Sequence, residues 1–412
     1  MDSTQRLRRL TDSISLGVLA DVVPRDLIEE VLAETGKREK RSRLLPAHVV
    51  VRFCQAMCLF FDDDYEEVMR KVVGSLQDMR SWSDSWQVPS ASAISQARSR
   101  LGPEPLKELF ERVAVPLAGP GTKGAWLGSY RLMAVDGFIL DVADTPSNVE
   151  SFGLHKTDHP RSSYPQVRVI GLAECGSHAV VDAVLGGRRT AEQVLLPDLF
   201  RSFEPDMLVL ADRGFYGYDL WKQACETGAA LLWRVSSNLQ LPVVAELPDG
   251  SYLSVVFRSK LQAHHKAAII DSIRAGEPVH PVQAIAVRVI EYDIPDRIGD
   301  GQREVVRLIT TLLDPLEAPA IELAATYHER WEIEGLIDEI KTHQRGPGRV
   351  LRSKSPDLVE QEIWALLLTH YSIRALMCRA ADEADVDPDR ISFLRSLRVI
   401  RRHVTGQADF SP

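Results

Sequence analysis

Cysteine is scarce in this sequence and is not arranged to build a disulfide framework or a zinc site. The chain has five cysteines, an odd number, and only Cys54 and Cys58 are close together. No second pair completes a set of four zinc ligands. We therefore expect reduced, mostly buried thiols, as in a protein of the cytosol.

Long apolar runs are also missing. No segment reaches the roughly 20 residues that a membrane-spanning helix needs, and the first residues do not have the charged and then apolar pattern of a signal peptide. The hydrophobic share of 45% is ordinary for a soluble globular protein. We therefore expect a cytoplasmic protein that does not contact a membrane.

The sequence also lacks an excess of positive charge. The 49 Lys and Arg residues are outnumbered by 58 Asp and Glu residues, which gives a net charge of −9. This argues against a protein that coats nucleic acid nonspecifically. It leaves room for DNA binding through local basic patches, because affinity depends on where the cations lie. At 412 residues, the chain is long enough for about two or three domains.

The first 120 residues are predicted to be entirely helical. Ser90 or Ser92 can cap a short helix whose exposed side is expected to present Gln96, Arg98 and Arg100. Short helices in succession, the last one bearing Gln and Arg, resemble a helix-turn-helix DNA reader. An ordinary helical bundle with exposed Arg is the alternative. Four Gly and one Pro in residues 119–128 indicate a domain boundary.

From Tyr130 onwards the pattern changes to strands. Residues 132–135 and 207–211 are short apolar runs, and each is followed directly by an aspartate, Asp136 or Asp212. Ligand sites in α/β sheets lie beyond the carboxyl ends of parallel strands. An Asp at a strand end is also a common turn former. Asp136 or Asp212 taken alone is therefore consistent with either a ligand site or a structural turn. Residues 236–312 look mostly β and interrupt the α/β pattern, which indicates an insertion.

Residues 327–341, YHERWEIEGLIDEIK, are predicted to form one helix with a polar stripe. Tyr327, Arg330, Glu334 and Lys341 fall within roughly 60° of one another at helical spacing. A carboxylate between two cations and a phenol suits a cleft that binds Mg²⁺ together with a phosphate. A solvated face with weak ion pairs is the alternative. Asp338 shares the stripe, so spacing alone does not single out Glu334.

The last segment, residues 351–412, is predicted to be helical. A long apolar helix over about residues 358–381 is followed by the sequence ISFLRSLRVIRRH at 391–403. Arg395, Arg398 and Arg402 share one face of that second helix, which makes it basic and amphipathic. Such helices bind DNA backbones, anionic membranes or acidic partners.

Three segments in this order resemble the DDE transposases of bacterial insertion sequences: AVDGFILDVADTPSN, VLADRGFYGYDLW and YHERWEIEGLIDEIK. More narrowly, the chain is similar to the insertion-sequence-four family, whose signature is Y-x2-R-x3-E-x6-K. Tyr327, Arg330, Glu334 and Lys341 match that signature at every position. The phrase ADRGFYG is typical of the family's second Asp. Phe138 departs from the pattern, because the family often has Thr or Ser after the first Asp-Gly.

The resemblance implies a fold class and a division of the chain. The fold is expected to be α/β, with a ribonuclease-H-like catalytic core that carries a β-rich insertion and is flanked by helical regions. We expect a helical DNA-binding domain at 1–120, a catalytic domain at 130–350 with its insertion at about 236–312, and a helical region at 351–412.

The resemblance also implies an activity, namely metal-dependent DNA cleavage at the ends of an insertion sequence followed by strand transfer into target DNA. Asp136, Asp212 and Glu334 would hold two Mg²⁺ ions, for which Mn²⁺ can substitute. Tyr327, Arg330 and Lys341 would hold phosphates and a displaced base. The expected partners are double-stranded DNA, as terminal inverted repeats and as target, and a second copy of the chain in a homodimer at the nucleoid. Asp338 is expected to lie behind the metal ligands or to be exposed.

Three other readings compete with this one. A haloacid-dehalogenase-like phosphotransferase needs a D-x-D motif, but Asp141 and Asp144 are spaced D-x-x-D, and Asp136 comes five residues earlier. A nuclease or a catalytically inactive derivative would retain the transposase fold. A noncatalytic DNA-binding regulator would use the N-terminal helices and the basic C-terminal helix.

Overall fold

The computed structural model describes residues 19–39, 45–74, 88–154, 164–275, 277, 283–294 and 304–405. All five cysteines lie in these ranges as free thiols, and all but Cys225 are buried, which confirms that expectation. Within the same ranges, no helix has the length and apolarity needed to cross a membrane.

Six helices make up the first part of the described chain: α1 (Leu19–Val22), α2 (Arg25–Glu34), α3 (Ala47–Leu59), α4 (Tyr65–Gly74), α5 (Ala91–Leu101) and α6 (Glu104–Val113). Helix α3 is apolar on nearly every side and is buried on nearly every side, as such helices are in the core of a large protein. Ser90 caps α5 by accepting a hydrogen bond from the Ala93 N–H at 3.3 Å, as predicted. Gly102, with φ of 73°, ends the helix.

A single mixed sheet forms the centre of the molecule. Its strands are β1 (Trp126–Leu127), β2 (Tyr130–Asp141), β3 (Gln166–Glu174), β4 (Ala179–Gly187), β5 (Met207–Ala211), β6 (Ala230–Val235), β7 (Ala245–Glu246), β8 (Tyr252–Phe257), β9 (Ala284–Ile294) and β10 (Glu304–Thr310). The strand order is β4-β3-β2-β5-β6-β10-β9-β8-β7, and β1 pairs with β2. Strand β5 is parallel to both β2 and β6, and the other pairs are antiparallel.

Helices lie between these strands: α7 (Pro146–Phe152), α8 (Glu192–Leu195), which continues as a 3₁₀ helix over Leu196–Ser202, α9 (Tyr218–Glu226) and α10 (Ala263–Arg274). The apolar strands β5 and β6 are buried along most of their length, as expected for parallel strands in the middle of a sheet. Trp221 of α9 packs edge-on against Trp233 of β6, with ring centroids 5.3 Å apart.

The β-rich segment after β6 extends the same sheet. Strand β10 returns to pair with β6, with Ile309 opposite Trp233, and β9, β8 and β7 follow outwards. Within this segment, His264 and His265 lie in the helix α10. That helix has no buried residue, so it has no apolar stripe by which the sequence could reveal it.

The C-terminal part is helical: α11 (Ala320–His328), α12 (Trp331–Asp338), a π-helical turn (Glu339–Gln344), α13 (Pro356–Ala384), a 3₁₀ turn (Pro388–Arg390) and α14 (Phe393–Thr405). The 29-residue helix α13 is buried along most of its length and confirms the long apolar helix predicted there. It packs against α3 and α6 on one side and against β4 on the other. The N-terminal helices and the sheet therefore share one core.

Candidate active site

Asp136 and Asp212 leave the sheet at the same point. Strands β2 and β5 run parallel, and their last paired residues are Val135 and Ala211, which directly precede the two aspartates. Equivalent residues of paired strands point to the same face. The register therefore brings together two carboxylates that are 76 positions apart in the sequence, the difference between 212 and 136.

The prediction that the first strand ends at Asp136 is wrong. Strand β2 continues to Asp141 and pairs with β3, where Asp136 lies opposite Gly171. The apolar run at 132–135 is the fully buried part of the strand, and residues 136–141 include both buried and partly exposed positions. What ends near Asp136 is the pairing with β5, a tertiary feature that a pattern of apolar residues does not contain.

Arg330 joins two of the predicted site residues. Its Nη1 donates to Asp136 Oδ2 at 3.2 Å, and its Nη2 donates to Glu334 Oε1 at 3.3 Å. The guanidinium is buried, with only 8% of the side chain exposed, whereas 46% of the Glu334 side chain is accessible. The structure thus brings Asp136, Arg330 and Glu334 into direct contact.

Asp212 and Tyr327 complete this group. Asp212 lies within electrostatic range of both Arg330 and Tyr327. The Tyr327 hydroxyl points to the carbonyl oxygen of Ala211 at 3.5 Å, and burial raises the pKa of this phenol above its ordinary range. All three predicted carboxylates are therefore gathered around one buried arginine.

Burial raises the pKa of Asp136 above its ordinary value. The Gly137 N–H, which donates to Asp136 Oδ1 at 2.7 Å, and the charge of Arg330 oppose this shift in the pKa. The carboxylates of Glu192 and Glu334 reinforce it. Asp136 is therefore a carboxylate whose ionised form gains stability from added positive charge.

The prediction of one continuous helix over residues 327–341 is wrong. Helix α11 ends at His328, and the chain tightens through i to i+3 hydrogen bonds, from the Arg330 N–H to the Tyr327 carbonyl and from the Ile333 N–H to the Arg330 carbonyl, both at 3.2 Å. Helix α12 follows, and the π turn then widens the spiral from Glu339. Arg330 lies at the break between α11 and α12, Glu339 lies at the start of the π turn, and both make buried contacts with residues distant in the sequence. The periodicity of apolar residues cannot predict such contacts.

Asp338 is exposed, which confirms one of the two positions expected for it. Its carboxylate pairs with His343 Nε2 at 3.4 Å and makes no contact with the Arg330 group. Lys341 is exposed in the π turn.

The N-terminal DNA-contact prediction needs one correction. Gln96 and Arg100 are exposed on α5, as expected, but Arg98 is completely buried. Its guanidinium donates to Gln361 Oε1 and Ser353 Oγ, each at 2.9 Å, and to the Tyr65 hydroxyl at 2.5 Å. Arg98 therefore holds α5 to the C-terminal helix α13 and does not face DNA. Two residues along a helix are about 200° apart, so Arg98 cannot share one face with its neighbours Gln96 and Arg100.

On the C-terminal helix α14, Arg395, Arg398 and Arg402 are exposed. Arg401 turns inwards, and its Nε donates to the Leu59 carbonyl at 2.6 Å. The basic face predicted for this helix is thus accessible, while the fourth arginine anchors the helix to α3.

Sequence reasoning missed two features near the site. Glu192, at the start of α8, lies beside Asp136 and forms an ion pair with Arg168. His178, Glu332 and Asp389 form a group whose possible ligand atoms all lie within 4.8 Å of one another. The side chains of Asp136, Asp212 and Glu334 do not form a group that tight. No sequence spacing links residues 178, 332 and 389, although Glu332 stands only two positions before Glu334.

Comparison with known proteins agrees with this architecture. The family model described as "Insertion element 4 transposase N-terminal" matches residues 13–111, and the model described as "Transposase DDE domain" matches residues 127–371. The chain is 28% identical over 397 residues to the transposase InsG for insertion sequence element IS4 of Escherichia coli K12, covering 96% of this chain and 84% of that protein.

Two further proteins show similarity over different extents. The putative transposase InsZ of Escherichia coli K12 is 27% identical over 221 residues, which is 53% of this chain and 71% of that protein. A cryo-EM structure of the piggyBac transposase synaptic complex with hairpin DNA aligns with a TM-score of 0.48 and 11% identity, over 94% of this chain and 79% of that one.

The mixed sheet and the match over residues 127–371 define a DDE enzyme with a ribonuclease-H-like core, which confirms the predicted fold class. Enzymes of this class cleave and transesterify DNA during transposition, and they use divalent metal ions. The chain belongs to the transposase DDE domain family and, within it, to the IS4 transposases. The reading as a noncatalytic regulator is not favoured.

Proposed function

We propose that Asp136, Asp212 and Glu334 are the catalytic carboxylates of this transposase and that they hold two Mg²⁺ ions, which Mn²⁺ can replace. The observation that carries the proposal is the position of Arg330, whose guanidinium contacts Asp136 and Glu334 and lies within electrostatic range of Asp212. Three carboxylates that share a single buried cation bring an excess of negative charge to one cleft.

The residues present fit a hard divalent cation. The three side chains offer only oxygen donors, which are the ligands that Mg²⁺ prefers. Asp136 and Glu334 keep 22% and 46% of their side chains exposed, so their oxygens are accessible from solvent. When bound, the ions would stabilise the attacking and leaving oxygens of an in-line displacement at phosphorus.

The cations of the signature motif are suited to position DNA. Arg330 Nε is buried and has no hydrogen-bond partner in the described part of the chain, so a phosphate oxygen that enters the site would supply the partner that this donor lacks. Lys341 is exposed and can bind a phosphate as a point charge. The buried Tyr327 packs beneath Arg330, whose guanidinium carbon lies 5.9 Å from the ring centroid, and it keeps that arginine in place.

The proposed reaction has two displacements at phosphorus. Water first attacks the phosphodiester at the end of the element and loses a proton to solvent. The bond to the bridging 3′-oxygen breaks, and that oxygen takes up a proton from solvent to become a 3′-OH. That 3′-OH then attacks a phosphodiester of the target strand and joins the element to it, which releases a new 3′-OH on the target. Displacement of a base from the stack allows the buried phosphodiester to reach the carboxylates.

We also infer how the rest of the chain contributes. Residues 1–120 would bind the terminal inverted repeats through the exposed Gln96 and Arg100, residues 130–350 would form the catalytic domain, and the helical C-terminal region would contact the DNA backbone through Arg395, Arg398 and Arg402. Two copies would act together on paired ends as a homodimer. Because the substrate is a bacterial genome, the protein would work in the cytoplasm, at the nucleoid.

The test uses conservative substitutions at the three acids. The terminal repeats are first located in the flanking genomic DNA, and cleavage of labelled ends is measured with Mg²⁺ for Asp136→Asn, Asp212→Asn and Glu334→Gln. We expect each variant to lose cleavage by at least about 10³-fold while binding the ends normally. Asp338→Asn is the matched control, because it removes an exposed carboxylate from the same helix, and it should cleave like the parent.

Either of two results would overturn the assignment. Cleavage by Glu334→Gln at the parent rate would remove Glu334 from the catalytic set, and loss of cleavage in Asp338→Asn alone would move the role to Asp338. An unmodified chain that binds the ends but never cleaves them would restore the reading as a regulator.

A further inference from the structure

A second group of side chains that could bind a metal lies on the side of α12 opposite Glu334. His178 Nε2 is 2.7 Å from Glu332 Oε2 and 3.2 Å from Asp389 Oδ1. The three residues come from the turn between β3 and β4, from α12 and from the 3₁₀ turn at 388–390. Glu332 and Glu334 are about 200° apart around α12, so this group faces away from the catalytic carboxylates.

We propose that His178, Glu332 and Asp389 bind one divalent transition-metal ion of the zinc type at a site separate from the catalytic centre. One imidazole nitrogen and two carboxylate oxygens form a donor set that suits Zn²⁺. Mg²⁺ prefers oxygen donors alone, so the two sites of this protein would select different metals.

The charges around the group favour a cation. Glu329 and Asp387 bring two further carboxylates into electrostatic contact with Glu332 and Asp389. The nearby Arg374 is already engaged by Glu339, whose Oε2 accepts a hydrogen bond from Arg374 Nε at 2.9 Å. Negative charge therefore exceeds positive charge at this place in the fold.

The second nitrogen of His178 has the kind of partner found at protein zinc sites. His178 Nδ1 lies 3.4 Å from Glu339 Oε1 and is also contacted by Arg374 Nη2. A histidine that binds a metal through one nitrogen commonly donates its other N–H to a carboxylate, so with an ion on Nε2 the Nδ1–H would be donated to Glu339 in place of the contact from Arg374. The ring is buried, with 8% of the side chain exposed, and it passes close to Gly335, where an added Cβ would lie 3.6 Å from His178 Cε1. Packing thus fixes the imidazole with Nε2 directed at the two carboxylates.

A proton competes with a metal ion for the Nε2 nitrogen of His178. Arg374 Nη2 donates to His178 Nδ1, so without an ion the imidazole proton is on Nε2 and is donated to Glu332. An ion can still reach the ligands, because Glu332 and Asp389 each keep 32% of their side chains exposed. A bound ion would tie the 3₁₀ turn between α13 and α14 to the helix that carries Glu334.

The experiment measures zinc binding with the catalytic carboxylates neutralised. The full chain carrying Asp136→Asn and Glu334→Gln is stripped of metal with a chelator and titrated with zinc chloride by calorimetry. We expect one equivalent to bind. Adding Asp389→Asn or His178→Gln should weaken that binding by at least about tenfold. Adding Asp338→Asn, the exposed neighbour on α12, should leave the affinity unchanged.

A second measurement covers the case in which the His178 variant fails to fold. Zinc that binds only the folded chain raises its Tm, so it should raise the Tm of the parent but not that of Asp389→Asn, in which a partly exposed carboxylate is replaced. The proposal is overturned if the neutralised parent binds no zinc or if Asp389→Asn binds it as tightly. Either result would assign the group to a proton-filled hydrogen-bond network.

Discussion

Arg98 and Arg100 show how strongly position decides the role of one residue type. Both belong to α5, but Arg98 is completely buried and makes four hydrogen bonds, three of them to the segment 353–361. Arg100 is exposed beside Lys37 and Arg38, where the described chain forms an open basic groove. One arginine stabilises the fold, and the other is accessible to DNA.

Replacing these two arginines should therefore give opposite results. Arg98→Ala leaves several buried polar groups without partners, and we expect it to lower the free energy of unfolding by at least about 3 kcal/mol. Arg100→Ala should change that free energy by less than about 0.5 kcal/mol and should weaken binding to the element's ends. Urea unfolding and a binding titration would measure the two effects. Equal stability of the two variants would contradict the burial of Arg98.

At the residue scale, the sequence could predict the proposed catalytic residues only through the signature motif. Helical spacing places Glu334 and Asp338 on one stripe, and the structure separates them only because Arg330 reaches Glu334 and His343 pairs with Asp338. Glu192 and His178 could not be found in this way. Each acquires its neighbours through pairing within the sheet and packing against helices, which join segments far apart in the chain.

At the element scale, the β-rich insertion supports the helix that leads to the site. Asp249, in the turn before β8, accepts a hydrogen bond from the Ala320 N–H at 2.8 Å at the start of α11. The same carboxylate pairs with Arg288 of β9, whose side chain is completely buried. A negative charge at a helix N-terminus is favourable, so this contact stabilises the beginning of the segment that ends in Tyr327.

We expect Asp249→Asn to lower the free energy of unfolding by about 3 kcal/mol at pH 7, because it leaves Arg288 buried without its counter-charge. Partial burial opposes ionisation of Asp249, but hydrogen bonds from Ser251 and the Ala320 N–H, together with the charge of Arg288, outweigh it and lower its pKa. The stabilisation is therefore complete above the ordinary carboxyl pKa of about 3.9 and is lost as the pH falls through the lowered pKa of the folded state.

Urea unfolding at several pH values would test this prediction. The difference between the parent and Asp249→Asn should be constant from about pH 8 to pH 5 and should shrink below about pH 4. Asp271→Asn, on the exposed helix α10 of the same insertion, is the control and should have little effect at any pH. A difference that grows on acidification would rule out the proposed charge pairing.

Lys341 provides a test of the π turn as a DNA-binding element. If it binds a phosphate, Lys341→Ala should weaken binding to all DNA sequences similarly and should reduce the slope of log affinity against log salt by about 1. Lys222→Ala, which removes a lysine paired with Glu226 on α9 at 3.0 Å, is a suitable control. Fluorescence anisotropy over a range of salt concentrations would measure the slopes. The same slope in both variants would remove Lys341 from the DNA interface.

Most helices and strands could be predicted from the sequence, but their exact ends and the connections between them could not. The strand β5 and the helix α13 follow directly from apolar runs with clear ends. The break at His328 and the π turn at Glu339 are different, because buried ion pairs to distant residues stabilise them. The single helix expected over residues 327–341 fails for that reason.

At the scale of the whole molecule, α13 joins regions that the sequence suggests are separate. Trp364 packs against Phe110 of α6 with ring centroids 5.6 Å apart, and the Gln361 amide donates to the carbonyls of Arg98 and Gly102 at 2.9 and 2.7 Å. The family match for the DDE domain ends at residue 371, inside this helix. The catalytic part therefore depends on the N-terminal helices to cover it.

We expect a fragment of residues 121–412 to lack a cooperative thermal transition, because one face of α13 would lose its packing against α3 and α6. Co-expression with residues 1–120 should restore the transition, since the cut falls in the Gly-rich segment between the two parts. Circular dichroism melting curves would report both outcomes. A fragment that melts cooperatively at the Tm of the intact chain would show that the two regions fold independently.

The π turn at Glu339–Gln344 has a consequence for the length of the chain. A π turn equals an α-helical turn that has gained one residue, so the six positions between Glu334 and Lys341 do not measure a fixed angle around the helix. Deleting one residue from this turn would convert it to a regular α-helical turn and leave the helix continuous. The residues after the deletion would, however, be rotated around the helix axis relative to the carboxylates. The spacing in the signature motif therefore spans a segment with two different helical pitches. A chain with one residue fewer in this turn would need its lysine at a different position in the motif.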